Sequence, residues 1–413
     1  MSDSHQLIDL PAARRIVLDA IKPTGTTSVG LDQSLGCVLA GDIRADMDFP
    51  PFDRAMMDGY AVRTTDTATA GARLTCVGCI PAGVQANLCV HPGQAIQINT
   101  GAPVPEGADT VVPVEKTRRE GDEVIIMNAP TAQWRHIARR ATIARSGQTV
   151  LVAGVRMGPP QIAIAATVGA ATVPVYKKPT AAILVTGDEL VDPGDQPGAG
   201  QIRNSNGPML TALFRKIGIT ATVLGVAPDD RVRLAELVRS GLEHDCLCIS
   251  GGISMGRFDY VPEVLRDCGV DIKVRGIAIK PGKPTLFGMS DGGCCVFGLP
   301  GNPISSLVAF RLLVISALDG MQGVAHPLPI EWPAVLSGCL SATGDRTAYW
   351  PGHLTVDDAE RITAQPTRWN GSGDPFGFAT ANALILRGAH QPATGTGDAV
   401  RVIPLDAGCL GAG

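Results

Sequence analysis

The chain has 413 residues, more than the roughly 250–300 that one hydrophobic core organises, so two to four domains are expected. With 35 basic and 39 acidic side chains its net charge is −4, which argues against duplex nucleic acid or an anionic membrane as the main partner. No apolar run reaches the roughly 18 residues of a membrane helix and no secretory leader is visible, so a cytoplasmic protein with reduced thiols at its 11 cysteines is expected.

The first predicted element is a helix over residues 9–21, with Asp9 as cap, Pro11 in the first turn and an apolar stripe of Ala13, Ile16, Val17, Ala20 and Ile21. Short strand-like pieces with frequent Gly and Pro follow up to about residue 130, beginning with FPPFDRAMMDGYAVR, and they suggest a small β-rich domain. Within it Cys76, Cys79, Cys89 and His91 run C-x2-C-x9-C-x-H. That spacing misses the usual zinc pairs, and thiols on and beside a strand are the simpler reading.

At Pro179 the pattern changes. Continuous apolar runs, AAILV at 181–185, CLCI at 246–249 and CCVF at 294–297, read as buried parallel strands. They alternate with helical patterns at 207–217, 228–243, near 262–268 and at 304–318, the last carrying only Arg311 as a charge and therefore buried nearly all round. This alternation predicts a mostly parallel α/β domain. After about residue 322 the chain is again punctuated by Pro and Gly and reads as a separate small β domain. The predicted fold is thus multidomain α/β plus β: an elongated discontinuous part (1–48 and 141–177), an inserted β-rich domain (49–140), the α/β domain (178–323) and a C-terminal β domain (324–413).

Ligands of open α/β sheets sit beyond the carboxyl ends of the strands. Four segments leave or follow such ends: TGDEL, APDD, SGGISMGRFDY and GLPGNP. GLPGNP is an anion cradle in which Asn302 caps a helix, Pro303 starts it and Gly298 and Gly301 let the backbone approach a phosphate; a plain tight turn is the alternative. Lys280 and Lys283 of IKPGKP can neutralise an anion or simply be solvated. Asp188, Glu189, Asp229, Asp230 and Asp259 offer the oxygen ligands Mg²⁺ prefers, although Asp229 and Asp230 can equally cap a helix and Asp188 can belong to a turn. Asp259 ends a glycine-rich loop, where a metal bridging it to a bound phosphate would give the carboxylate a purpose.

MMDGYAVR, INTGAPVPEGADTVVPVEK, TGDEL, SGGISMGRFDY, AIKPGKP and GLPGNP, in this order, resemble the molybdopterin molybdenumtransferases over about residues 8–405; the scaffold protein gephyrin contains a related domain. The resemblance implies insertion of molybdate into adenylylated molybdopterin, giving molybdenum cofactor and AMP, with Mg²⁺. It implies catalytic roles for Asp58, Thr100, Glu189, Asp259, Lys280 and Lys283, with Glu189 and Asp259 as metal ligands. It also implies a substrate surface of Gly187, Asp188, Asp229, Asp230, Ser250, Gly251, Gly252, Ser254, Gly282, Pro300, Gly301, Asn302 and Pro303. A homodimer is implied in which Asp58 and Thr100 reach the other subunit's α/β domain, together with transient contact with molybdopterin adenylyltransferase and molybdoenzyme-maturation proteins. The chain departs from the family pattern at Ala141 and Thr142, where Gly-Glu-Asp is usual, at Asn204 for Asp, at Arg257 for an acid and at Ala55 for Ser. Tungstate in place of molybdate, or a weakened scaffold paralogue, is the alternative reading. In the C-terminal segment WNGSGDPFGFATANALI, Ser372 and Asp374 read as an ordinary loop in preference to a cleft wall.

Overall fold

The structure, a computed structural model, describes residues 7–128, 132–253 and 259–405. Its central sheet contains β1 (Ala181–Thr186), β2 (Ala221–Ala227), β3 (Cys246–Ser250), β4 (Val270–Arg275), β5 (Leu286–Ser290) and β6 (Cys295–Leu299) in the order β2-β1-β3-β6-β5-β4. β2, β1, β3 and β6 are parallel neighbours, and β5 lies antiparallel between β6 and β4. Every residue of β1, β3 and β6 is buried. Both faces are covered, which is why these runs are apolar without alternation.

The cover is built from amphipathic helices. Ile183 and Val185 point to the layer holding α1 (Asn206–Lys216), whose Leu210 and Phe214 pack on them. Ala182 and Leu184 point the other way, toward Leu234 and Val238 of α2 (Arg231–Gly241) and Leu265 of α3 (Val261–Asp267). A fourth helical run, α4 (Pro303–Met321), lies in the α1 layer, with Phe310 meeting the Phe214 ring edge-on at a centroid distance of 4.9 Å. It passes through a π-helical turn at Phe310–Val314. With 19 residues and a mean hydropathy of 1.7, α4 is long and apolar enough to cross a membrane, contrary to the expectation that no run approaches that length. Its composition reflects burial in the core, since 72% of it is enclosed by protein.

The N-terminal helix, Leu10–Ala20, is capped by Asp9, whose carboxylate accepts the Ala12 N–H at 2.7 Å. Leu10, Ala13 and Val17 join the α4 side of the core. Segments before and after the inserted domain pair with each other: Thr26–Gly30 with Thr172–Tyr176, Ile43–Arg44 with Thr149–Leu151, and Arg54–Ala55 with Ile137–Ala138. The insertion carries a mixed six-stranded sheet. In the C-terminal part Thr347–Val356, Ile362–Pro366, Trp332–Leu336, Ala399–Pro404 and Ala383–Arg387 pair in sequence, and the last pairs back to the first, which closes a five-stranded barrel. The short strand Ile279–Lys280 of the α/β domain adds to the barrel beside Thr347 and Ala348.

Two departures from the family pattern have distinct local consequences. Ala55 is buried in its two-stranded ladder, where a methyl group leaves no buried hydroxyl to be paired. Ala141 adopts φ +62°, and the adjacent Thr142 hydroxyl donates to the Arg139 carbonyl at 2.7 Å. An L-residue at such a φ is destabilised by roughly 1–2 kcal/mol, part of which glycine loses again through its freer unfolded chain. Ala141→Gly is therefore expected to stabilise the protein by about 0.5–1 kcal/mol, read from the urea midpoint at unchanged slope.

Candidate functional site

The parallel strands end at one edge, and their loops enclose a cleft of about 600 Å³. Its walls come from the ends of β1 (Thr186, Gly187, Glu189), β3 (Ser250, Gly251, Gly252) and β6 (Pro300, Gly301, Asn302, Pro303), with Asp229 and Asp259 at its margin. Loop geometry depends on backbone that other residues resist. Gly251 has φ +98°, and a Cβ there would lie 2.6 Å from the Thr186 carbonyl. Gly187, at φ +140°, lets the Glu189 carboxylate fold back over its own Cα, where any side chain would collide with it.

The carboxylates gather as a group. Asp229 donates its N–H to the Asp188 carboxylate at 3.1 Å. Lost hydration first, and then the nearby charges of Asp188, Glu189 and Asp259, push the Asp229 carboxyl above its ordinary range. Asp230 does something different: it caps α2 by accepting the Arg233 N–H at 2.8 Å. Among the described residues no three metal-ligating side chains meet closely enough to form a cage, whether here or around Cys76 and Cys79. The arrangement suits a hard cation that takes one or two protein carboxylates and finds its remaining oxygens on ligand and water.

Asn302 stands at the N-cap position of α4 with Pro303 following, but its side chain does not cap the helix. Its amide instead donates to the Ser372 hydroxyl at 2.9 Å, and Gly373 and Pro375 line the cleft. The segment read as an ordinary loop therefore forms a wall of the cleft. Its Asp374 stays structural, capping Pro375–Phe378 and accepting from Asn370.

Lys280 and Lys283 are exposed and do not line the cleft; Pro284, next to them, does. Gly282, at φ +111°, shapes the turn, and its carbonyl accepts from the Thr285 hydroxyl at 2.7 Å. Asp58 and Thr100 are brought together on the inserted domain, where the Thr100 N–H donates to the Asp58 carboxylate at 2.6 Å. That amide bond is the main reason the Asp58 carboxyl lies below its ordinary range. Neither residue lines the cleft of its own chain. Ser254 and Arg257 lie outside the described residues.

Several lining residues were not read as site residues from the sequence, although Asn204 stood out as a departure from the family pattern. Asn204 accepts the Gly207 N–H at 2.9 Å, so the amide that replaces the family's Asp still caps the start of α1. Asn206 and Thr186 lie buried in the cleft floor, and Arg203 supplies a guanidinium at the rim. An Asn at the start of a helix reads as a cap, and a Thr closing an apolar run reads as strand. A second cavity, of about 870 Å³ between the N-terminal helix and the barrel, contains Arg14, Tyr349 and Arg387 and none of the motif residues.

Family models described as MoeA N-terminal region (domain I and II), probable molybdopterin binding domain and MoeA C-terminal region (domain IV) match residues 8–169, 182–320 and 333–405. A molybdopterin molybdenumtransferase of Staphylococcus aureus strain Mu50 is 33% identical over 364 residues, 87% of this chain and 86% of its own. One from Staphylococcus epidermidis is 34% identical over the same extent. The crystal structure of a molybdopterin biosynthesis moeA protein from Pyrococcus horikoshii is 30% identical and superposes with a TM-score of 0.83, covering 97% of this chain and 100% of that one.

The raised Asp229 carboxyl has a consequence for stability. Above its folded pKa the ionised group destabilises the fold relative to the unfolded chain, and this penalty disappears as pH falls below the unfolded value. Asp229→Asn is expected to raise Tm by about 1–2 °C at pH 8, the small size reflecting solvent screening, and the gain should vanish near pH 3 in a thermal-melt series.

Proposed function

The chain belongs to the molybdopterin molybdenumtransferase family, and on that premise we propose that its cleft inserts molybdate into adenylylated molybdopterin, releasing molybdenum cofactor and AMP in the cytoplasm. The observation that carries this reading is the convergence of two anion-suited loops, Ser250–Gly252 and Pro300–Pro303, on a group of carboxylates at one sheet edge. Glycine-rich backbone and the start of α4 suit the ligand's phosphates. Asp229 is held above its ordinary range partly by neighbouring carboxylates, and a divalent cation would relieve that repulsion.

Mg²⁺ fits this donor set, with Glu189 and Asp259 as its protein ligands and Asp188 and Asp229 beside them. When bound it would neutralise charge that develops on the cleaved pyrophosphate. The chain's own residues do the rest. Gly187, Gly251, Gly252 and Gly301 keep the backbone close to the ligand, while Ser250 and Asn302 fix the loops that carry it. Lys280 and Lys283, exposed on the turn next to Pro284, offer mobile positive charge to an incoming oxyanion. Two anions must be held together against their repulsion, so positioning supplies much of the rate.

Asp58 and Thr100 act, on this reading, in the cleft of a second copy. Met47, Phe52, Met56, Met57 and Ile143 are all exposed, 61% so for Ile143, and Met56 and Met57 directly precede Asp58. They lie on neighbouring backbone, since Ile143 donates to the Phe49 carbonyl at 3.0 Å and Met56 to that of His136 at 2.8 Å. Exposed apolar side chains of this kind support an interface between two chains.

AMP release from adenylylated molybdopterin, measured with Mg²⁺ and either molybdate, tungstate or neither, tests the reaction. Oxyanion-dependent release is expected, and release that ignores the oxyanion would overturn insertion. Asp259→Ala should reduce turnover by at least about a hundredfold without altering the molecular mass in solution, as loss of charge stabilisation at a reacting group does. Asp58→Ala and Asp259→Ala chains, each inactive alone, should regain part of the activity when mixed, because one interface then holds an intact pair. Mixed samples with no activity would count against the shared site.

A further inference from the structure

The cleft has a polar floor in which one side chain connects three loops. Asn206, the first residue of α1, is only 6% exposed. Its Nδ2 donates to the Ser250 hydroxyl at 2.8 Å and to the Gly301 carbonyl at 2.7 Å. Ser250 in turn reaches the Pro300 carbonyl at 3.5 Å, and the Ser306 hydroxyl of α4 donates to that same carbonyl. The start of α1, the glycine loop after β3 and the proline turn after β6 are thereby linked through a single amide.

The orientation of that amide is set by its partners. The Gly301 carbonyl can only accept, so the group facing it must be the NH₂. The other end, Oδ1, is then an acceptor, and it is buried with no protein partner among the described residues. The Thr186 hydroxyl, also in the floor, is in the same condition. Buried polar atoms are nearly always paired, and an unmade bond is costly. Unlike the other buried polar atoms without a partner, those of Asn206 and Thr186 belong to residues lining the cleft, where a ligand or water can pair them.

We infer that Asn206 is a positioning residue that sets the spacing between the Ser250–Gly252 loop and the Pro300–Gly301 turn, and through them the fit of the phosphate-bearing ligand. The inference rests on the function proposed above and assigns a role to a residue outside the catalytic set. Asn206 acts through backbone: Ser250 leads directly into Gly251, whose left-handed conformation packs it against Thr186, and the Gly301 carbonyl precedes the turn into α4. A shift of the amide is thereby passed to both walls of the cleft.

Replacement by a titratable isostere makes the role visible. In Asn206→Asp, a protonated carboxyl can still donate to the Gly301 carbonyl. An ionised one turns an acceptor toward that carbonyl and pushes the two loops apart. The charged side chains lining the cleft are Glu189, Asp229, Asp259 and Arg203, so the surroundings are net negative and disfavour the ionised form further. Asn206→Ser, which loses the bridge at every pH, serves as the comparison.

The measurement is the Kd of full-length protein for adenylylated molybdopterin by calorimetry from pH 6 to pH 8.5, with Tm recorded at each point. Asn206→Asp should bind within about threefold of wild type at pH 6 and at least tenfold more weakly at pH 8.5. Asn206→Ser should bind at least tenfold more weakly throughout, with wild type nearly flat. Variant Kd values within twofold of wild type across the range, in protein folded at the assay temperature, would overturn the inference and leave the proposed function standing. A loss in Asn206→Asp that tracks Tm alone and not pH would also overturn it, since that is the mark of a purely structural amide. Should Asn206→Asp fail to fold, Ser250→Ala removes the other half of the bond and must weaken binding at least fivefold for the inference to survive. Wild type that binds no adenylylated molybdopterin would refute the proposed function itself.

Discussion

The parallel register of three strands governs everything at the functional end of this molecule. Ala181, Cys246 and Cys295 lie side by side, and so do Val185, Ser250 and Leu299 near the strand ends. Strands in step release their loops at the same level, so Gly187, Gly251 and Pro300 emerge together without any long-range search. The register is maintained by apolar burial on both faces, because a slip of one residue would exchange the side chains packed on α1 and α4 for those packed on α2 and α3. Most of the core's apolar contacts therefore serve to align a few polar backbone atoms.

The cleft combines two demands that oppose each other electrostatically. Its described lining has three carboxylates, Glu189, Asp229 and Asp259, against the single guanidinium of Arg203. Under the proposed function, a phosphate-bearing ligand in a site with that balance would depend on cations from elsewhere. Lys280 and Lys283 stand on the neighbouring turn and the carboxylates on the walls, which would leave the centre to a small hard ion. The inserted domain carries a different kind of carboxylate: Asp58 is ordered by the backbone of Thr100 and is already biased toward the ionised form.

Continuous apolar runs such as AAILV and CLCI could be read as buried parallel strands because that burial leaves no alternation, and the helices between them declared themselves through their stripes. Asp9 and Asp230 were legible as caps since capping is a local event. What escaped the sequence was set by distant partners. Asn302 looked like a side-chain cap, yet its amide is taken by Ser372, 70 positions away. Ser372 itself looked like loop because only the closed barrel brings it to the cleft. Asn206 could not be distinguished from any other residue beginning a helix, since its partners at Ser250 and Gly301 lie beyond the reach of any local pattern. The length of α4 was underestimated because Asp319, near its C-terminal end, breaks the apolar run in sequence; in space that carboxylate pairs with Arg156 at 2.6 Å.

The barrel's attachment to the α/β domain has a temporal meaning as well. It supplies Thr347 and Ala348 to pair with Ile279–Lys280, Ser372 to bond Asn302, and Tyr349, Leu384 and Ile403 to extend the apolar core. All of these lie C-terminal to the α/β domain and are therefore synthesised after it. During synthesis the α/β domain can lay down its strands in order while its cleft still lacks a wall and one of its edges lacks a neighbour. Until the barrel follows, the cleft has no Gly373 or Pro375 in its wall. Translation of the barrel is the event that completes the cleft.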